Sequence, residues 1–420
     1  MNSLPNQVIS ECRSCGSTNL VKSINLGEMG SCGTFRKDLN TETPSGVLQI
    51  LICNECLLVQ LDRNFDLDEL FRIEYGYESS LNTSMANHLY RLFDSTILAM
   101  NLVDNSNYLD IGSNDATLVS HALKSGKFSQ IFAVDPTIEK FHLNYSIDIQ
   151  KFPDFFTSEI ASTISAQGIN FQLITSIAMF YDLPDPNDFI VGIKKVLAPE
   201  GIWVLELSYL YSMIEANAFD TICHEHLEYY SLLSLTKLLS QNELKIISVE
   251  LNHSNGGSMR VSVMHNNAPS QNFDLNQFLE NERRTAGEIA VLLDRMMASV
   301  RENLECANDL LESARKDGSV VHGLGASTKG NTFLQYANWS ADQLPYIAEV
   351  NENKFNKYTP TTNIQIISEA ESMSMRPNYY LVLPWHFKTS IMDRKREFLR
   401  SGGKLVFVFP KFEVVGFDTQ

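Results

Sequence analysis

Twice in this chain an apolar strand runs into a glycine-bearing turn and a helix, and twice the next apolar strand ends in an acid. The first pass reads Tyr108-Leu-Asp110-Ile-Gly112, a helix from about residue 115, then Ile131-Phe-Ala-Val-Asp135. The second reads Ser319-Val-Val-His-Gly-Leu-Gly325, a helix on Ser327–Ala337, then Leu344-Pro-Tyr-Ile-Ala-Glu349. Short apolar runs alternating with helical patterns predict parallel strands, because a parallel pair needs a crossover and cannot close through a hairpin. Further strands are expected at Phe171–Thr175, Gly201–Leu207, Asn378–Trp385 and Lys404–Pro410, with a helix over Pro186–Leu197. Residues 275–316 carry a long helical pattern ending at Gly318, read as an interdomain strut. The expectation is an α/β chain with two Rossmann-like units in series, each on a largely parallel sheet.

Ahead of both units lie Cys12-x-x-Cys15 and Cys53-x-x-Cys56. Seven cysteines in 420 residues do not make a disulfide scaffold, and paired spacing points to metal in a reducing compartment. Each pair offers two thiolates from one tight turn, and folding brings the two turns around one ion. Gly16 follows the first pair, where the backbone must turn beneath the metal. Four sulfurs leave no open position, so the expected site is structural, with zinc favoured and iron the alternative. Cys32 has no partner at ligand spacing. The chain therefore divides into a zinc-binding module at 1–62, a nucleotide-binding unit at 63–250 and a second α/β unit at 251–420.

A formal charge of −17 argues against a general nucleic-acid binder, yet leaves room for a small anion held by a few cations. No apolar run reaches the ~20 residues of a membrane span, and the N-terminus lacks the pattern of a signal peptide, so a cytoplasmic protein is expected.

The Asp110–Ala116 turn is the first β-turn-α of a nucleotide-binding sheet, where Gly112 lets the backbone approach a ligand. Asp135 ends the next strand, placed to accept hydrogen bonds from ribose hydroxyls; the plain alternative is a strand-end acid before a proline turn. Both methyltransferases and dehydrogenases use such a site, and the missing G-x-G-x-x-G favours the former. Asp110, Gly112, Asn114, Asp115 and Asp135 are the cofactor candidates, with Asp154 for the adenine amine and Thr175 and Ser176 as the pocket floor.

Several ordered segments resemble the sugar C-methyltransferase family, which includes the C-3 methyltransferases of tetronitrose and mycarose biosynthesis. They are the paired cysteines with Cys53-Asn-Glu-Cys56-Leu-Leu-Val-Gln60, Tyr75-Gly-Tyr77-Glu-Ser-Ser80, Ile111–Asp115, His224-Glu225-His226 before Tyr229-Tyr230-Ser231, Gly256-Gly-Ser-Met-Arg260 and Gly323–Asn331. The resemblance covers nearly the whole chain. It implies S-adenosylmethionine as methyl donor, a structural zinc, and a 4-keto-sugar on a nucleotide, methylated at C3, as the substrate. It also implies a catalytic set of His226 as base, Glu225 beside it, Tyr75 and Tyr77 as hydroxyl contacts, and a lower-ranked His224. An isolated His-Glu-His read by itself is a solvated turn or a fragment of a metal site. In the last unit, Lys329 and Asn331 at a helix start suit a diphosphate, Arg260 either binds substrate or ties domains together, and Trp385 and His386 wall the cleft.

Three departures fall around the acceptor, one of them Asn255-Gly-Gly-Ser258 in place of the family's His-Gly-Gly-Ser. Cys223 stands where the family has a tyrosine, and the stretch Met179-Phe-Tyr181-Asp182 lacks the family's histidine, leaving Tyr181 or Asp182 to line that space. Transfer to oxygen and a non-catalytic zinc-ribbon interaction protein are the alternatives carried forward.

Overall fold

A computed structural model describes residues 6–73, 77–100, 102, 105–270 and 273–417. The central sheet has seven strands in the spatial order Ile149–Phe152, Gln130–Val134, Asn107–Ile111, Phe171–Ile177, Leu197–Ser208, Ser258–His265 and Leu244–Asn252. The first five pair in parallel; Ser258–His265 runs antiparallel to both its neighbours. Helices such as Thr117–Ser125 and Pro186–Val196 cover its faces; the latter starts with Pro186 in its first turn and Asp185 accepting from the Asn187 and Asp188 N–H groups. Ser258–His265, which the sequence division assigns to the third unit, thus belongs to the central sheet.

The C-terminal sheet follows the order Gln365–Ser368, Tyr346–Glu349, Val321–Leu324, Tyr379–Val382, Lys404–Phe407 and Glu413–Val415, parallel except for the last strand. This is the doubly wound 3-2-1-4-5-6 arrangement. The expected strut is helical but interrupted: Asn276–Thr285 gives way at Ala286–Glu288 to a second helix, Ile289–Asp317. Gly287 lies at the break, where a residue without a Cβ weakens helix continuity. Val300, Leu304, Ala307 and Leu311 of the long helix share one apolar core with Ile24 and Leu26 of the N-terminal module and Leu381 of the C-terminal sheet. No helix among the described residues is long and apolar enough to cross a membrane.

The N-terminal module is a sheet of Leu20–Gly30, Ser45–Cys53 and Val59–Leu61, extended at its edge by Glu228–Tyr229 from beyond the central sheet. That fourth strand follows His224-Glu225-His226 after one intervening residue, Leu227. The module is also tied to the central unit by Asn187 Nδ2, which donates to the Arg13 and Ser14 carbonyls at 2.8 and 3.0 Å.

Candidate active site

The turn after the Asn107–Ile111 strand is held open by its own sequence. Gly112 has φ +77°, and a Cβ there would come within 2.8 Å of the Met179 side chain. Asn114 and Ala116 also adopt positive φ, 49° and 69°, a conformation costing roughly 1–2 kcal/mol for a residue with a side chain. Such outliers persist where surrounding bonds over-determine them. Here Asp135 Oδ2 accepts the Asn114 N–H at 2.8 Å, and Tyr145 donates to the Asn114 carbonyl at 2.7 Å. Burial raises the Asp135 carboxyl above the usual range, and burial pushes Asp110 up to about 7.

This turn opens into a cavity of about 600 Å³ at the point where the strand order reverses between Asn107–Ile111 and Phe171–Ile177. Its lining includes Asp110, Gly112, Asn114, Asp135 and Asp154 on one side and Asp182, Glu225, His226 and Lys329 on the other. His226 is half-buried, and its Nδ1 lies 2.8 Å from the Thr221 carbonyl. A carbonyl accepts only, so Nδ1 carries the proton and Nε2 keeps its lone pair. The Tyr181 ring meets the imidazole edge-on at 4.6 Å. Burial, then the Lys329 charge, depresses His226 to about 4, so the ring is neutral at physiological pH. Glu225 is buried beside Gly33 of the N-terminal module, where an added Cβ would meet its Oε1 at 2.8 Å. Lys329 reaches in from the first turn of Thr328–Tyr336 and donates to the Asn255 carbonyl at 2.7 Å. It is the one Lys or Arg lining this cavity among the described residues.

The four paired cysteines place their sulfurs within 4.8 Å of one another, with Cys12–Cys56 at 3.5 Å and Cys15–Cys53 at 3.6 Å. These separations are too long for disulfides and suit tetrahedral Zn–S bonds of ~2.3 Å. Both knuckles turn alike: Gly16 and Leu57 take positive φ and donate to the Cys12 and Cys53 carbonyls, each at 2.9 Å. The site lies at the module's own turns and does not line the cavity.

Three family models match end to end: a zinc binding domain over residues 12–71, a methyltransferase domain over 85–249, and a C-methyltransferase C-terminal domain over 253–410. The C-methyltransferase NovU of Streptomyces niveus is 27% identical over 424 residues, covering 98% of each chain. This chain is therefore similar to C-methyltransferases along nearly its whole length. Solved methyltransferases overlap it less: the glycopeptide N-methyltransferase MtfA complexed with S-adenosylmethionine is 10% identical, covering 42% of this chain and 93% of its own at a TM-score of 0.33. The plantazolicin methyltransferase BpumL is 11% identical, covering 44% and 88%, at 0.35. The activity is S-adenosylmethionine-dependent C-methylation, and the four-cysteine cluster lies within the matched zinc binding domain.

Within this C-methyltransferase, several residues singled out from sequence stand away from the cavity. Thr175 and Ser176 are fully buried beneath it, bonded to Asp110 at 2.5 Å and to the Trp203 indole at 2.9 Å, because they sit mid-strand; the cavity contact starts at Ile177. Asp115 caps the following helix through Thr117 and accepts the Ser80 N–H at 2.9 Å, anchoring the segment that carries Tyr77. His224 alternates to the opposite side, packing on Phe65 with ring centroids 4.8 Å apart. Arg260 is not in the cavity; its register opposite Glu206 gives an ion pair at 3.0 Å, with Glu250 at 3.1 Å. Asn331 donates to the Cys32 carbonyl at 2.7 Å, which ties the C-terminal helix to the module. Trp385 donates to Asp220 at 2.8 Å, and Trp385 and His386 both pack over Gly256. Tyr77 lines the cavity, while Tyr75 lies outside the described residues. Sequence reasoning passed over His88, whose Nε2 lies 2.5 Å from Glu206 and whose ring also meets Ser254, bracing the loop that carries Asn255. A lone histidine on a helix gives no signal of that partner 118 residues away.

Proposed function

We propose that the enzyme methylates C3 of a nucleotide-linked 4-keto-sugar, with His226 as the base. One observation carries this reading: a single cavity joins the donor turn, a neutral imidazole with its lone pair free of the Thr221 bond, and one cation. S-adenosylmethionine supplies an electrophilic methyl group. Asp135 would hold its ribose, Gly112 and Asn114 its methionine end, and Asp154 its adenine. A carbon nucleophile must be made by proton removal, and an adjacent ketone acidifies that proton. His226 Nε2 takes the proton, Glu225 orients the sugar hydroxyls, and Tyr77 stands at the opening. Lys329, at a helix start, would meet the diphosphate. A free-thiol, metal-binding chain of this kind fits the cytoplasm.

The test uses dTDP- or GDP-4-keto-6-deoxy-sugar deuterated at C3. Loss of the label with methyl gain is expected; methylation with the label retained removes the C3 assignment. His226→Asn should abolish turnover while S-adenosylmethionine still binds, and an active variant would remove His226 as the base.

A further inference from the structure

We infer that Asp182, as a carboxylic acid, donates a hydrogen bond to the acceptor's carbonyl oxygen and so stabilises the enolate that His226 creates. Asp182 ends the short turn Phe180–Asp182, at the carboxyl end of the Phe171–Ile177 strand, and lines the cavity. Its Oδ1 is buried and has no hydrogen-bond partner. A buried oxygen left without a partner costs about 1–3 kcal/mol, a cost that is smaller for a neutral carboxyl than for a carboxylate.

The turn is locked against the base. The Leu227 N–H donates to the Tyr181 carbonyl at 2.9 Å, joining the residue before Asp182 to the residue after His226. The segments carrying Asp182 and His226 are thereby strapped together, and both residues line the same cavity. The electrostatic surroundings decide which carboxyl holds a proton. Around Asp182 stand Glu225, Glu228, Cys223 and Tyr229 from the facing loop, none of them cationic, and burial followed by the two glutamates drives its affinity for a proton far up. Glu225, whose Oε2 is likewise buried without a partner, is also raised by burial, yet its own backbone N–H, the Cys223 side chain and the Gly33 backbone favour its ionised form. Of this pair, Asp182 is the donor. Lys329 is already engaged by the Asn255 carbonyl.

The step balances without further reagents. The C–H bond breaks towards His226 Nε2, and its electron pair enters the enolate, whose oxygen accepts the Asp182 hydrogen bond. Carbon then bonds to the methyl group as the sulfur–methyl pair returns to sulfur. The carbonyl reforms, Asp182 keeps its proton throughout, and His226 releases the abstracted proton to solvent.

This inference rests on the keto-sugar reading, so the test separates the two. Wild type, D182A, D182N and H226N are compared on dTDP-4-keto-6-deoxyglucose for turnover and, with S-adenosylhomocysteine bound, for exchange of the sugar's C–H with solvent deuterium. D182A should lose about a hundredfold to a thousandfold in kcat and in exchange, with S-adenosylmethionine affinity unchanged. D182N keeps an N–H donor and should recover to within about tenfold of wild type. Wild-type turnover with D182A equally fast overturns the Asp182 role alone. D182N as slow as D182A also overturns it, since that pattern demands a carboxylate. Wild type that neither methylates nor exchanges this probe sinks the keto-sugar reading instead.

Discussion

In the central sheet, Asp135 accepts the N–H of Asn114 two residues beyond Gly112; in the C-terminal sheet, Glu349 accepts the N–H of Ala326 one residue beyond Gly325. Gly112 and Gly325 share positive φ, 77° and 82°, and each donates to a carbonyl of the adjacent strand, Val134 or Ala348. The backbones are near equivalents, and the uses differ. Around Gly112 the space above the turn is the 600 Å³ cavity. Above Gly325 sits Pro384, close enough that a Cβ would meet its ring at 2.7 Å. Glu349 spends its other oxygen on the Val350 and Asn351 N–H groups, and Lys354 Nζ donates to the Ala326 carbonyl at 2.8 Å. One frame holds an opening for a nucleotide, and the other is knitted shut and lends its helix start, with Lys329, to its neighbour's cavity. A nucleotide-binding backbone is therefore not a nucleotide site until the space over its glycine is left unfilled.

Substitutions at the paired acids test that contrast most strongly. Asp135→Ala should weaken S-adenosylmethionine binding by about a hundredfold in calorimetry, the loss of two charge-assisted hydrogen bonds; unchanged binding would break the comparison. Glu349→Ala should instead act on stability, costing roughly 3 kcal/mol in denaturant titration as three backbone donors lose their acceptor. Donor affinity in that variant should stay within about twofold. A reversed pattern would assign the donor site to the wrong sheet.

Smaller effects follow from charge. Lys329 helps hold His226 down near 4, so Lys329→Met removes a cation that opposes imidazolium. The acidic limb of kcat/KM should then move up by about one unit, and a fixed limb would detach Lys329 from the base. Asp110 titrates near 7 because of burial. Binding a cationic donor favours its carboxylate, so affinity should fall as pH drops through about 7 and level off above it. At most this is about tenfold per pH unit, and Asp110→Asn should abolish the slope.

Much of this plan could be read from residue order. Strand-turn-helix periodicity exposed both units, C-x-x-C spacing the four-cysteine cluster, and Gly112 and Asp135 came from local patterns that need no knowledge of distant partners, whereas His226 came from the family resemblance. What escaped depends on register and on long-range packing. Arg260 looked like a ligand residue beside glycines, but antiparallel pairing sets it opposite Glu206. Thr175 and Ser176 stood one turn of the pleat too early to reach the cavity. Asp182 was noticed as a departure, and only the closing of its turn onto Leu227 shows what surrounds it.

The strand Glu228–Tyr229, borrowed by the zinc module's sheet, carries one more consequence. Gln60 and Val59 pair with it directly, three to four residues from the ligand Cys56, while His226 lies two residues to its other side. His226, the proposed base, thus lies two residues from a strand that the four-cysteine module's sheet holds in place. Free energy gained on metal binding would therefore be linked to the ordering of the His226 segment, and by reciprocity an ordered segment would tighten the metal. The pairing predicts that removing the metal loosens the segment carrying His226 and leaves the Gly112 turn of the central sheet in place.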